Sequence, residues 1–400
     1  MSILDEKKRV AIVGQSGGPT VAINASLAGV IGEARKAGFS KVYGMVNGIS
    51  GFLEGRTVDL FDRFPGEKSL DDLAHTPSMY LGSCRHKLPE VSDTAFYKDL
   101  VDKLNKLGVT DFFYIGGNDS MDTVAKLSAY GEQSTCPIRF IGIPKTIDND
   151  LLGTDHTPGF GSAARVVSEC MRNISFDARS YNLQSVTIVE IMGRDAGWLA
   201  AASALAGERP GLSVFEIGNA PDLIYLCEIP FDIDSYIEDV KDVLKKKKTV
   251  LVAVSEGIHD KDGVFIDEVG SEHKTDAFGH TVHSGVGKVL EGITADRLGI
   301  KVRSVELSVL QRCLAPLSSP VDLYEARNCG RVAINMAMTG ETGIMIGMDR
   351  TSNSPYQISY APQPIEDIPN KVKTVPLEWI DIKHHGVTEE MMDYLRPLVG

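Results

Sequence analysis

At 400 residues and 43% hydrophobic side chains, the chain can bury large cores and divide into two domains. A formal net charge of −13 argues against nucleic acid or an anionic membrane as partner, since both need an extended positive field. The amino terminus runs from charged residues straight into a strand without an apolar signal core, and no later run is long enough to span a bilayer, so a cytoplasmic protein is expected.

The first apolar run, residues 10–13, leads into Gly14-Gln15-Ser16-Gly17-Gly18-Pro19-Thr20 and then a helix over 24–34. Glycines between strand and helix let backbone N–H groups close on a phosphate at the positive helix end, although a plain tight turn reads the same way. The segment is neither G-x-G-x-x-G nor G-x-x-x-x-G-K-[ST], so a dinucleotide fold or a Walker-type NTPase is not supported. A strand over 41–45 follows, and then Leu81-Gly82-Ser83-Cys84-Arg85-His86-Lys87, where basic side chains after a Gly-Ser turn suit an anion. The strand at 112–115 ends in a second glycine turn, Gly116-Gly117-Asn118-Asp119-Ser120. Helix capping alone would explain its polar residues, but two strands ending in matching glycine turns favour a ligand.

The strand at 140–143 stops at Pro144 and presents Lys145, Thr146, Asp148 and Asp150. A cation and two carboxylates at the carboxyl end of a buried strand suit phosphoryl transfer: one group holds an oxyanion, one takes a hydroxyl proton, one helps place a divalent metal. A long helix over 162–177 comes next, and the strand at 186–191 feeds Met192-Gly193-Arg194-Asp195-Ala196-Gly197-Trp198, delivering Arg194 to a helix start. A strand at 249–254 precedes a polar surface excursion over 257–277. Lys245 to Lys248 read as a solvated helix end, and His280 and His283 as a polar junction with no third ligand nearby. The segment after Asn353 is rich in proline (Pro355, Pro362, Pro364, Pro369) and is expected to wrap the surface before a last short helix. The six scattered cysteines, with no C-x-x-C pair, read as buried reduced thiols. Near-continuous apolar strands alternating with amphipathic helices indicate an α/β, doubly wound architecture.

Together these segments resemble the phosphofructokinase family, its pyrophosphate-dependent branch in particular, from Gly14 to about Arg331, with PKTIDND and MGRDAGW the most specific motifs. The resemblance implies two doubly wound α/β domains with the active site in the cleft between them. It implies an enzyme that transfers a phosphoryl group to the 1-hydroxyl of fructose 6-phosphate, with Mg²⁺ as cofactor. The expected division is a donor domain of residues 1–150 with part of 313–352, a fructose 6-phosphate domain of 151–312, and a tail over 353–400.

Carried over position by position, Asp148 matches the general base, Asp150 stands beside it, and Thr146 is placed to bond the transferring phosphoryl group. Gly18, Arg85 and the loop of Gly117, Asn118, Asp119 and Ser120 match the donor side. Met192, Gly193 and Arg194 match sugar-phosphate contacts, with Arg194 also placed to stabilise transferring charge. Glu228 matches the acid that binds sugar hydroxyls. Arg303 and Arg312 match 6-phosphate arginines, Arg303 from a neighbouring subunit, so a homodimer or homotetramer with a shared site is expected. Ser185 and Val309 replace a second bridging arginine and a 6-phosphate histidine, so that pocket must be rebuilt, with Lys301, Arg303 and Tyr324 as candidates. Asn118 stands where an aspartate commonly organises Mg²⁺, so the metal is expected to lean on Asp119, Asp148 or Asp150, with Asn118 and Asp119 the candidates on this loop.

ATP-using relatives carry glycine at positions 119 and 145. A carboxylate at 119 intrudes on and repels an α-phosphate, while Lys145 adds charge for a small polyanion, so pyrophosphate is the expected donor. Short polyphosphates and sedoheptulose 7-phosphate stay open as substrates, and an ATP-dependent kinase or a non-catalytic sugar-phosphate-binding subunit are the rival readings. Ala28 and Gly32 stand where allosteric relatives place effector-binding arginines, which predicts weak or no nucleotide regulation.

Overall fold

A computed structural model describes residues 9–180, 182–208, 221–268 and 285–400. The strands of its two main sheets are, in chain order, β1 (Val10–Gln15), β2 (Lys41–Met45), β3 (Thr57–Asp59), β4 (Asp111–Gly116), β5 (Arg139–Pro144), β6 (Ser185–Ile191), β7 (Leu223–Tyr225), β8 (Thr249–Ser255), β9 (Lys301–Glu306), β10 (Ile344–Asn353) and β11 (Tyr356–Pro364). Five of the expected strands reappear with an extra residue or two at their ends, because those residues keep pairing and all but Arg139 are also buried.

The chain forms two compact units. Unit 1 takes the described residues up to Ile147, then 151–159 and Arg312–Lys371. Its sheet runs β11-β10-β5-β4-β1-β2-β3, with parallel pairing from β10 through to β2 and antiparallel pairs at both edges. Every residue of β4, and β1 from Ala11 onward, is buried, which is what a strand covered on both faces requires. One face packs the helices Ile23–Lys36 and Pro320–Thr339, where a Cβ on Gly29 would overlap the Arg327 carbonyl and one on Gly330 the Ser26 carbonyl. The other face packs Thr94–Lys106 and Asn118–Gln133 around Phe112, Tyr114 and Phe140.

Unit 2 takes Asp148–Asp150, the described residues within Phe160–Gln311, and Val372–Gly400. Its sheet, β7-β8-β6-β9, is parallel throughout. Val186, Ile188, Val250, Val252 and Val254 meet Tyr236, Val240 and Leu290 in its core.

The doubly wound α/β class expected from the sequence is the one found, but the separate tail is not. The stretch from 353 divides: β11 pairs antiparallel with β10 at the edge of the first sheet, and only the part from Val372 joins unit 2, ending in the helix Glu389–Val399. Pro362 and Pro364 are tolerated in β11 because an edge strand can leave N–H positions without a partner. All six cysteines are free thiols, as expected, yet only Cys227 and Cys329 are buried and Cys313 is exposed. His280 and His283 lie outside the described residues.

Candidate active site

In unit 1 the carboxyl ends of β1, β4 and β5 lie side by side, because these strands are neighbours in one parallel sheet. After β1, Gly17 takes a left-handed φ of 81°, and the Thr20 hydroxyl accepts the N–H groups of Ala22 and Ile23 to open the helix Ile23–Lys36. After β4, Gly116 has no room for a Cβ, which would overlap the Ser120 hydroxyl, and Gly117 caps a 16-residue helix. That helix presents its positive end and Asp119 in its first turn.

Lys145, one residue past β5, is 3% exposed. Its N–H bonds the Gly116 carbonyl at 3.0 Å, and its ammonium donates to the Gly18 carbonyl at 2.6 Å. A Cβ on Gly17 would lie 3.2 Å from that ammonium, and one on Gly18 would lie 3.0 Å from Arg312 Nη1. Thus both glycine turns, Lys145 and Arg312 share one corner of unit 1. Thr146 is fixed there too, its N–H on the Pro158 carbonyl and its carbonyl accepting from the Thr157 hydroxyl.

Arg85 is brought to the same corner by its neighbours. Ser83 Oγ donates to the Gly17 carbonyl at 2.7 Å, and Ser16 Oγ donates to the Cys84 carbonyl at 3.2 Å. Gln15 and Asn24, both fully buried, extend the tie: Gln15 Oε1 accepts the Leu81 N–H and Asn24 Oδ1 the Tyr80 N–H. Arg85 itself is exposed, as is Lys87, whose ammonium stands 3.6 Å from the Asp119 carboxylate. Asn118 does something the sequence did not suggest. Its amide donates to the Lys371 carbonyl and accepts the Asn370 N–H, tying the helix start to the end of unit 1.

Asp148 and Asp150 belong to unit 2, so the chain changes unit inside the PKTIDND motif. There β6 hands over to Met192, Gly193 and Arg194, and three side chains hold that turn. Gln311 Oε1 accepts the Met192 N–H at 3.1 Å, Glu256 Oε1 accepts the Gly193 N–H at 3.2 Å, and Ser255 Oγ donates to the Gly193 carbonyl at 2.6 Å. Gly193 has φ 121°, which strongly favours glycine, and a Cβ on Gly257 would overlap the Arg194 carbonyl. Arg194 is exposed at the end of this turn.

Burial raises the Glu256 carboxyl above the usual range, against the opposing pull of the Gly193 N–H and Arg194. Glu190, one turn back on β6, is pushed up to about 7 by burial, although it accepts N–H bonds from Gly285 and Gly287. Sequence reasoning passed over Glu256 and Gln311. The available signal was a carboxylate directly after the buried strand β8 and a glutamine directly before Arg312.

Glu228 is held through one oxygen, which accepts the Gly197 and Val375 N–H groups at 2.8 and 2.9 Å. Arg303 lies on the edge strand β9, paired at 2.9 Å with Asp177, and Lys301 begins the same strand. Tyr324 lies in unit 1 on the helix Pro320–Thr339, 68% exposed. Ala28 and Gly32 are buried in the core of unit 1, where a Cβ on Gly32 would lie 3.3 Å from Leu70. Among the described residues no group of three or more His, Cys, Asp or Glu side chains is arranged to hold a metal ion.

With this geometry in view, comparison with known proteins is informative. The family model described as Phosphofructokinase matches residues 9–346. A pyrophosphate–fructose 6-phosphate 1-phosphotransferase of Rhodospirillum rubrum is 39% identical over 98% of this chain and 95% of its own. The crystal structure of a pyrophosphate-dependent phosphofructokinase from Nitrosospira multiformis superposes with a TM-score of 0.85 at 32% identity, covering 98% of this chain and 92% of that one. An ATP-dependent 6-phosphofructokinase of Edwardsiella ictaluri matches less of the chain, with 32% identity over 75% of it and 85% of its own length.

Proposed function

The chain belongs to the phosphofructokinase family, and on that premise we propose that it moves a phosphoryl group reversibly from pyrophosphate to the 1-hydroxyl of fructose 6-phosphate. The products are fructose 1,6-bisphosphate and phosphate. The observation that carries the choice of donor is the Lys145 ammonium, buried within the first glycine turn, together with the Asp119 carboxylate at the start of the next helix. That ammonium adds a fixed positive charge beside the Gly18 carbonyl, and a compact polyanion such as pyrophosphate is what such a charge attracts. A carboxylate at 119 disfavours the further phosphate of a nucleotide. The longer match to relatives named for pyrophosphate supports the same choice.

In this mechanism Asp148 takes the proton of the 1-hydroxyl as its oxygen attacks the near phosphorus of pyrophosphate. Thr146, Lys145, Arg194 and the N–H groups of the two glycine turns bind the charge on the transferring group, and Asp150 supports the base. Arg85 and Ser120 complete the donor side, Met192, Gly193 and Glu228 the sugar side, and Arg312 joins Arg303, Lys301 and Tyr324 as candidates for the 6-phosphate. When bound, Mg²⁺, the family's usual ion, would neutralise charge on the diphosphate. It typically takes one or two carboxylates plus substrate oxygens, and Asp119 fits that demand, whereas the Asn118 amide is already engaged by Asn370 and Lys371. The same proposal includes a cytoplasmic enzyme assembled at least as a dimer, with Arg303 serving a neighbouring subunit. Among the described residues no helix is long and apolar enough to cross a membrane.

A donor screen with purified protein, fructose 6-phosphate and Mg²⁺ tests the reading. Turnover with pyrophosphate should exceed that with ATP by at least 100-fold (on the order of 3 kcal/mol in barrier). Equal or better turnover with ATP would overturn it. The reverse reaction, from fructose 1,6-bisphosphate and phosphate, should be measurable in the same preparation.

A further inference from the structure

The carboxyl-terminal segment touches the stretch that holds both carboxylates. Asn149, between Asp148 and Asp150, is fully buried and adopts a left-handed φ of 55°. Both ends of its side chain are held by residues more than 200 positions away. Lys373 Nζ donates to Asn149 Oδ1 at 3.1 Å, and Asn149 Nδ2 donates to Tyr394 Oη at 2.8 Å. The Lys373 backbone N–H also donates to the Asp150 carbonyl at 2.9 Å.

Those two residues are themselves rigidly seated. The Trp198 indole N–H donates to the Lys373 carbonyl at 2.9 Å, and the Lys373 ammonium lies 5.2 Å from the Trp198 ring centre. The Tyr394 ring packs 5.2 Å from Trp198 and 5.4 Å from Trp379. Two residues beyond Lys373, Val375 donates to Glu228, which also receives the Gly197 N–H ahead of Trp198. A left-handed residue between two carboxylates is held in place only where its surroundings over-determine it.

We propose that Lys373 and Tyr394 are positioning residues for the phosphoryl-transfer reaction: they lock Asn149 and thereby aim Asp148 and Asp150. This inference rests on the reading of Asp148 as the general base.

The test uses the full-length protein with Lys373→Met, Lys373→Arg and Tyr394→Phe, assayed with pyrophosphate and fructose 6-phosphate, with circular dichroism as the check on folding. Lys373→Met should lower kcat by about tenfold or more and change both KM values by less than about threefold. Lys373→Arg, which restores a cationic donor to Asn149, should recover most of the lost kcat with KM close to that of the unsubstituted protein. Tyr394→Phe should lower kcat several-fold with both KM values little changed. A folded Lys373→Met with unaltered kcat overturns the proposal, and so does one whose loss is confined to KM. Should Lys373→Met fail to fold, Tyr394→Phe decides alone, and unaltered kcat there overturns the proposal. An unsubstituted protein with no pyrophosphate-dependent turnover is a different result, which sinks the proposed function and this inference with it.

Discussion

Lys145 and Asp119 differ in what surrounds them, and the difference assigns them different tasks. The lysine is buried at 3% exposure with its ammonium on a carbonyl, so removing it leaves a polar corner without its cation. The aspartate is exposed near Lys87, and in the proposed reading its part is to exclude charge and bulk. Asp119→Gly alone should therefore raise ATP-dependent kcat/KM while lowering the pyrophosphate reaction, which also loses the carboxylate proposed to hold Mg²⁺. Adding Lys145→Gly should lower pyrophosphate-dependent kcat/KM by about 100-fold or more, which a steady-state comparison of the two donors would measure. Asp148→Asn keeps the shape and removes the base, so kcat should fall on the order of 10³-fold while fructose 6-phosphate still binds, as calorimetry can record. Glu190 makes a prediction about stability. Its carboxyl titrates at about 7 in the fold, raised first by burial and further by Glu306 and Glu256, against an ordinary value of 4.5. Between those values the folded state holds a proton that the unfolded chain has released, so this group's contribution falls as pH rises from about 4.5 to 7. Thermal unfolding should show a lower Tm at pH 8 than at pH 6, and Glu190→Gln should flatten that difference.

The elements legible in the sequence were those buried on both faces. Residues such as Ile12 and Val13 in β1, Phe112 and Ile115 in β4 and Ile188 in β6 form apolar runs because nothing on either side of the strand meets water. Edge strands lack that mark: β9 reads Lys-Val-Arg-Ser-Val-Glu and β11 alternates exposed and half-buried positions, so neither stood out. The glycine turns and PKTIDND were legible because a strand ending in glycine or proline is a local signal. The ties of Asn118 to Asn370 and of Asn149 to Lys373 span 252 and 224 residues, and no local pattern records such pairs. The crossing of Ile23–Lys36 over Pro320–Thr339 was equally hidden, since Gly29 and Gly330 look like poor helix residues until the backbones meet. Gly29→Ala should improve helix propensity and still destabilise unit 1 by about 1–3 kcal/mol, because the added methyl overlaps the Arg327 carbonyl. A drop of several degrees in Tm would register it.

At the scale of the whole molecule, the surface of the single chain carries a demand of its own. Val309 and Leu310 are 50% and 46% exposed beside Arg312, and Tyr324 is 68% exposed. The assembly proposed above, at least a dimer, has a direct test. Sedimentation should give a species of at least twice 43.4 kDa. A further property follows from where the indoles sit. The chain has two tryptophans, and Trp198 and Trp379 lie 6.2 Å apart in unit 2 with Tyr394 between them. Their fluorescence is a built-in optical gauge of that unit, blind to melting confined to the other. A denaturant titration whose emission curve lags or leads its far-ultraviolet dichroism would separate the two melting events without any label.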